Sequence, residues 1–124
     1  MLKILICCDE SGINQIGISE LNLSELYMYG NIKITDVNHM KETLKILDCG
    51  WICGVDQNGI SQLNLIELYA NSNKRIYDVN HMKKTLKILD CSWDCGIDQN
   101  GISELNSIEL CTINNKKIFD EINT

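Results

Sequence analysis

The sequence contains no proline, few aromatic residues and too little positive charge for an anionic partner. Aromatic residues make up 6% of the 124 positions, fewer than a compact globule usually carries. Lys and Arg total 11 against 17 Asp and Glu, for a formal net charge of -6. Nucleic acid and anionic membranes favour a basic face, so we expect neither as a partner. No apolar run approaches the ~20 residues needed to span a bilayer.

The chain also lacks a secretory signal of ordinary length. Its start, MLKILICCDE, is apolar for about five residues and then reaches Asp9 and Glu10. That is too short for the apolar segment of a signal peptide, so we expect a protein that is not exported and stays in the cytoplasm. Seven cysteines in such a chain are expected to be reduced thiols rather than a disulfide framework.

An internal repeat covers the whole chain. The stretch Leu-Lys-Ile-Leu begins at residues 2, 44 and 86, and residues 44–82 match 86–124 at 24 of 39 positions without a gap. This divides the single domain, 1–124, into units 2–43, 44–85 and 86–124. Each unit of 42 residues splits into halves of 21, here called coils. Aliphatic or small residues at coil positions 1, 4 and 6 predict a short strand, and later aliphatics spaced three apart predict a helical or 3₁₀ return.

The pattern L-x-x-L-x-(L/C/A)-x-x-N resembles the leucine-rich repeat, and its length of 21 falls within the range of that family. It is similar in particular to the leucine-rich repeat proteins encoded by giant DNA viruses of amoebae. The resemblance implies an α/β solenoid, with short parallel strands on a concave face and short helical, 3₁₀ or loop segments on the convex side. It also implies a viral protein that acts in the host cytoplasm.

One column of residues is expected to form a structural ladder inside the turns that follow the strands. Asparagine recurs at position 9 of the second coils, where the family stacks amides that satisfy unpaired backbone groups. The corresponding column of the first coils holds Ser11, Cys53 and Cys95, one residue later. The predicted ladder therefore contains Asn31, Asn73, Asn115, Cys53 and Cys95.

The repeated segment DQNGIS, at 56–61 and 98–103, resembles a calcium loop but lacks two of its ligands. With Gly101 at loop position 6, positions 1 and 12 fall on Gly96 and Ser107, and neither supplies a carboxylate. We interpret the segment as a turn, because Asn and Gly both tolerate positive φ.

Zinc is the other metal that the composition suggests, through Cys49-x-x-x-Cys53 and Cys91-x-x-x-Cys95. Equivalent cysteines lie two coils apart, so Cys49 and Cys91 are expected to be about 10 Å apart. Disulfides need Cα atoms within ~7 Å, and a shared zinc would need the thiolates closer still. We therefore predict buried packing thiols, with no metal and no cofactor; a zinc- or thiol-dependent metal-binding protein remains the alternative function.

The concave face is the predicted site, because positions 3 and 5 of each strand point outward and position 8 lies at the rim. Exposed aromatics beside acids favour protein binding, and acids favour a basic partner. The alternative is that these side chains are exposed only because one unit has been copied. The predicted contact residues are Tyr27, Ile46, Asp48, Trp51, Glu67, Tyr69, Ile88, Asp90, Trp93 and Glu109.

The predicted function is a non-enzymatic protein-interaction scaffold. The viral relatives that the chain resembles are sometimes fused to an F-box, which implies substrate recruitment to ubiquitin ligases; without an F-box before residue 2, that role would need another chain. A solenoid exposes its core at both ends, so either end-to-end self-association or marginal stability is also expected. A remnant of a longer repeat protein is a further alternative.

Overall fold

The computed structural model describes residues 1–119, and these form one parallel sheet whose six strands follow chain order. The end of the third unit, 120–124, lies outside the described residues. Every strand is three residues long, and each pairs only with its neighbours in sequence. The strands are β1 (Ile4–Ile6), β2 (Glu25–Tyr27), β3 (Ile46–Asp48), β4 (Glu67–Tyr69), β5 (Ile88–Asp90) and β6 (Glu109–Cys111).

The segments that return from one strand to the next contain single turns of helix. One is the α-helix α1 (Gln15–Ile18), and the other four are 3₁₀ turns. The 3₁₀ turns are Asn38–Met40, Asn58–Ile60, Asn80–Met82 and Asn100–Ile102. The aliphatic residues that the sequence spaces three apart point inward from these turns. Five of them are fully buried: Ile18, Met40, Ile60, Met82 and Ile102.

The strands stack with the register expected from the 21-residue coil. Leu26, Leu47, Leu68 and Leu89 pair as direct neighbours across β2 to β5, and all four are fully buried. Since side chains alternate across a strand, this single inner column places positions 3 and 5 on the opposite face. The prediction of a repeat solenoid with a parallel sheet is confirmed, and its buried side chains form one hydrophobic cluster.

Asparagines at position 9 join each second coil to the coil before it. The amide of Asn73 donates to the carbonyl oxygens of Cys49 and Val55, at 2.9 and 3.0 Å, while its Oδ1 accepts from the N–H of Arg75. Asn31 and Asn115 make the same set of bonds in their own units. In the first coils of the second and third units the place is taken by a buried thiol, and the N–H of Val55 donates to Cys53 Sγ at 3.4 Å. In the first unit it is taken by the exposed Ser11, whose Oγ accepts from the N–H of Ile13 at 3.2 Å.

The segment DQNGIS is a turn, but the reason given for its glycine was wrong. Asn58 and Gly59 lie in a 3₁₀ turn, and neither has positive φ. Glycine is required because a Cβ on Gly59 would overlap the carbonyl oxygen of Thr35 in the preceding coil. Asp56 Oδ1 accepts from the N–H of Gly59 at 2.8 Å and so holds the turn closed.

Left-handed backbone does occur, at a position that the sequence did not reveal. Five of the six coils have positive φ at position 8, within the bend or turn that follows the strand. The left-handed region is unfavourable for residues with a Cβ, and most of all for bulky ones. The residues are Gly30, Trp51, Ser72, Trp93 and Asn114, with φ between 53° and 73°.

None of the helical segments within residues 1–119 has the length and apolar character needed to cross a bilayer.

Candidate protein-binding face

Two columns of outward side chains cover the exposed face of the sheet, here called the sheet face. At position 3 isoleucine alternates with glutamate, and at position 5 tyrosine alternates with aspartate through the middle of the stack. Parallel strands lie about 4.8 Å apart, so like residues recur about 9.6 Å apart. The sheet face consists of Ile4, Glu25, Ile46, Glu67, Ile88 and Glu109, with Ile6, Tyr27, Asp48, Tyr69, Asp90 and Cys111.

Four of the five carboxylates on this face are oriented by bonds within their own coil. The phenol of Tyr69 donates to Glu67 Oε1 at 2.6 Å, and Tyr27 donates to Glu25 in the same way at 2.7 Å. Asp48 Oδ1 accepts from the N–H of Gly50 at 3.1 Å, and Asp90 Oδ1 accepts from Ser92 at 3.0 Å. Each bond uses one carboxylate oxygen and leaves the other directed away from it.

No cation of the described chain neutralises these acids. The two ion pairs found within residues 1–119 join Lys74 to Asp94 and Lys83 to Glu104, all four outside the sheet face. Burial and hydrogen bonding are the main causes of the pKa shifts on this face. Burial raises the pKa of Asp48, with a further contribution from Asp90. The hydrogen bond to Glu67 raises the pKa of Tyr69 to about 12.

Tryptophans form an aromatic rim at the ends of the strands that carry Asp48 and Asp90. Trp51 and Trp93 are 49% and 52% exposed, so about half of each side chain is available for contact. Their left-handed backbone conformation sets the direction in which each ring leaves the coil. A cleft lies between them over Asn71 and Ser72, and both rings line it.

Tyr29 also belongs to this rim, although it is not among the predicted contact residues. Its ring stacks on Trp51 with centroids 5.9 Å apart and planes inclined by 15°. Trp51 thus leans over the neighbouring coil and keeps one side of its ring exposed. Gly30, the residue after Tyr29, leaves room for the indole, because a Cβ there would lie 3.3 Å from Trp51 Cδ1. A tyrosine followed by a glycine at position 8 was therefore the sequence pattern that could have predicted this stacking.

Five of the seven cysteines lie in the core, whereas Cys8 and Cys111 are half-buried and Cys111 lies on the sheet face. Cys49, Cys53, Cys91 and Cys95 are buried. Burial raises the pKa of Cys53 and of Cys95 to about 11, which disfavours the thiolate that a metal or an electrophile would need. Across residues 1–119 there is no group of three or more His, Cys, Asp and Glu placed to hold a metal ion.

The two histidines lie outside the face, on the return side. His39 and His81 are exposed, yet each Nε2 donates to a carbonyl oxygen of the preceding coil, to Ile18 at 3.0 Å and Ile60 at 3.1 Å. They therefore join successive coils, a contact that the sequence did not predict.

Comparison with known protein families gives no matching family model, and comparison with curated proteins gives no match either.

Proposed function

We propose that this chain is a leucine-rich repeat protein that binds a basic protein partner through its sheet face, without catalysing a reaction. The observation that carries the proposal is the set of five outward carboxylates that have no cationic neighbour on the same face within residues 1–119. Carboxylates held close together repel one another, and a cationic partner removes that repulsion on binding. The acids are Glu25, Asp48, Glu67, Asp90 and Glu109.

Pre-organisation supports binding rather than incidental exposure. Hydrogen bonds from tyrosine or backbone donors already hold four of these carboxylates, so a partner would order few side chains on arrival. The half-exposed rings of Trp51 and Trp93 beside the acids add apolar contact area, and tryptophan is enriched among the residues that dominate binding energy. The seven reduced thiols suit a cytoplasmic setting, of a host cell if the protein is viral.

The test compares two triple variants that remove the same charge from different surfaces. Glu67→Gln, Asp90→Asn and Glu109→Gln together remove three of the five negative charges of the sheet face. Glu20→Gln, Glu42→Gln and Glu104→Gln together neutralise exposed acids elsewhere. We expect wild-type protein to bind immobilised lysine-rich peptides more strongly than glutamate-rich ones, and only the sheet-face variant to lose that binding.

Equal loss in the two triple variants would show a general charge effect and remove the sheet face as the site. Retention of lysine-rich peptides by the sheet-face variant would do the same. Binding is measured at low and at physiological ionic strength, because a contact between exposed charges weakens as salt increases.

A further inference from the structure

We infer that the partner segment lies along the stack of strands in an extended polyproline-II conformation, with a basic side chain at every third residue. This inference rests on the proposed function and adds a spacing rule to it. The spacing follows from the alternation of first and second coils. Because of it, the glutamates at position 3 occur on every second strand, and so do the aspartates at position 5.

The spacing of the glutamate column is fixed by the strand register. One strand lies between each two successive glutamates of the column. Ile46 lies between Glu25 and Glu67, and Ile88 lies between Glu67 and Glu109. Two strand separations of about 4.8 Å place successive glutamates about 9.6 Å apart, and the three span about 19 Å. The column Asp48 and Asp90 has the same period, displaced by one strand.

A polyproline-II segment matches this period better than the other regular conformations. It has three residues per turn and rises about 3.1 Å per residue, so every third side chain lies on one side at intervals of about 9.3 Å. A β-strand presents one side every two residues, at about 6.7 Å. An α-helix returns to one side after seven residues, at about 10.5 Å, and over two intervals it overshoots the glutamates by almost 2 Å.

The aromatic rim shares the same period, so one peptide can serve both surfaces. Trp51 and Trp93 also lie two coils apart and line a common cleft over Asn71 and Ser72. In a conformation with three residues per turn, a second row of side chains faces this rim while the basic row faces the acids. Apolar or long aliphatic side chains in that second row would contact the exposed indoles.

The available carboxylate oxygens favour cations that arrive from above the sheet. The phenols of Tyr27 and Tyr69 each occupy one oxygen of a neighbouring glutamate and thereby fix its plane. The second oxygen of Glu25 and of Glu67 remains for an ammonium or guanidinium group. A partner whose cations are spaced otherwise can reach one glutamate well but not three together.

The experiment uses three synthetic peptides of equal length and equal charge, each with three lysines among neutral residues. The lysines are separated by one, two or three residues, and affinity for the full chain is measured by fluorescence anisotropy. We expect the peptide with two intervening residues to bind at least about threefold more tightly than the others, a difference typical of one or two exposed ion pairs. Glu67→Gln should abolish the preference, whereas Glu20→Gln should leave it unchanged.

Equal affinities for the three peptides, all lost in the sheet-face triple variant, would overturn the spacing rule and leave the proposed function standing. Tightest binding by another spacing would also overturn it, as would a helical peptide with lysines seven residues apart that binds better than all three. If no cationic peptide binds, the proposed function itself fails.

Discussion

At the scale of single residues, Gly59 and Gly101 are required by a neighbouring coil rather than by a local backbone angle. A side chain on either would overlap a carbonyl oxygen, of Thr35 or of Tyr77, in the coil before. Gly17 occupies the same position in the first unit, where a Cβ would meet only side-chain atoms of its own coil. A Cβ on Gly17 meets Ile13 Cγ2 at 3.4 Å, which is an ordinary contact.

Gly59→Ala and Gly17→Ala are therefore expected to differ in the sign of their effect. The first should lower the free energy of unfolding by about 2 kcal/mol or more, because two coils must separate to admit the methyl group. The second lies in α1 and should be neutral or stabilising by up to about 1 kcal/mol, since alanine is the better helix former. Urea denaturation measures both. Equal losses would mean that close approach between coils does not explain the repeated glycine.

Asp48 makes a residue-scale prediction about pH. Burial raises its pKa in the folded protein, so the native state binds the proton more tightly than the unfolded chain. The resulting stability is fully present below the pKa of the unfolded chain, about 3.9, and is lost as the pH rises through the raised folded value. Asp48→Asn, which keeps an oxygen for the N–H of Gly50, should lose less stability than wild type between about pH 4 and neutrality. Stability is measured by thermal melts across this pH range. The same change of melting temperature with pH in the two proteins would contradict the prediction.

At the scale of elements, the strands were predictable and the turns were only partly so. Leucine at position 4 with outward residues at 3 and 5 identified every strand, because a three-residue strand buries only its middle side chain. The rim conformation was not predictable, since tryptophan is disfavoured at positive φ and nothing nearby in sequence signals it. Gln57 was missed for a similar reason: its amide bridges Tyr77 and Asp78 in the next coil, and such a contact leaves no local pattern.

The asparagine turn gives the prediction that belongs to this scale. Asn73→Ala removes two bonds to buried carbonyl oxygens and one from the N–H of Arg75, and leaves those backbone groups without a side-chain partner. We expect a loss of about 3 kcal/mol in the free energy of unfolding. The exposed Asn64→Ala serves as the control and should change stability by less than about 0.5 kcal/mol. A small loss at Asn73 would show that the turn does not depend on its amide.

At the scale of the whole molecule, the repeating unit is the pair of coils rather than the single coil. Asn73 reaches back to Cys49 and Val55 of a first coil, while Gly54 fits against the backbone of Ile32 and Ile34 of a second coil. The contacts between coils are thus of two kinds, and they alternate. Self-association through the edge strands β1 and β6 stays a prediction.

Two deletions test this alternation. Removal of residues 44–85 takes out one whole unit and brings the coil that begins at residue 86 onto the coil that ends at residue 43, so both kinds of contact are preserved. Removal of 44–64 takes out one coil and stacks two second coils on each other. Contacts between neighbours dominate the stability of a solenoid, so we expect the shorter product to unfold cooperatively and the longer one to be less stable. The reverse order in urea denaturation would argue against a two-coil unit.

The most direct test of the account is a titration of the isotopically labelled protein with the peptide that carries lysine at every third residue, followed by backbone and indole N–H resonances. We predict that shifts concentrate in β2 to β6 and at the indoles of Trp51 and Trp93, and that Glu20, Glu42 and Glu104 on other surfaces stay unchanged. Shifts centred on those three glutamates, with the strands unaffected, would contradict it.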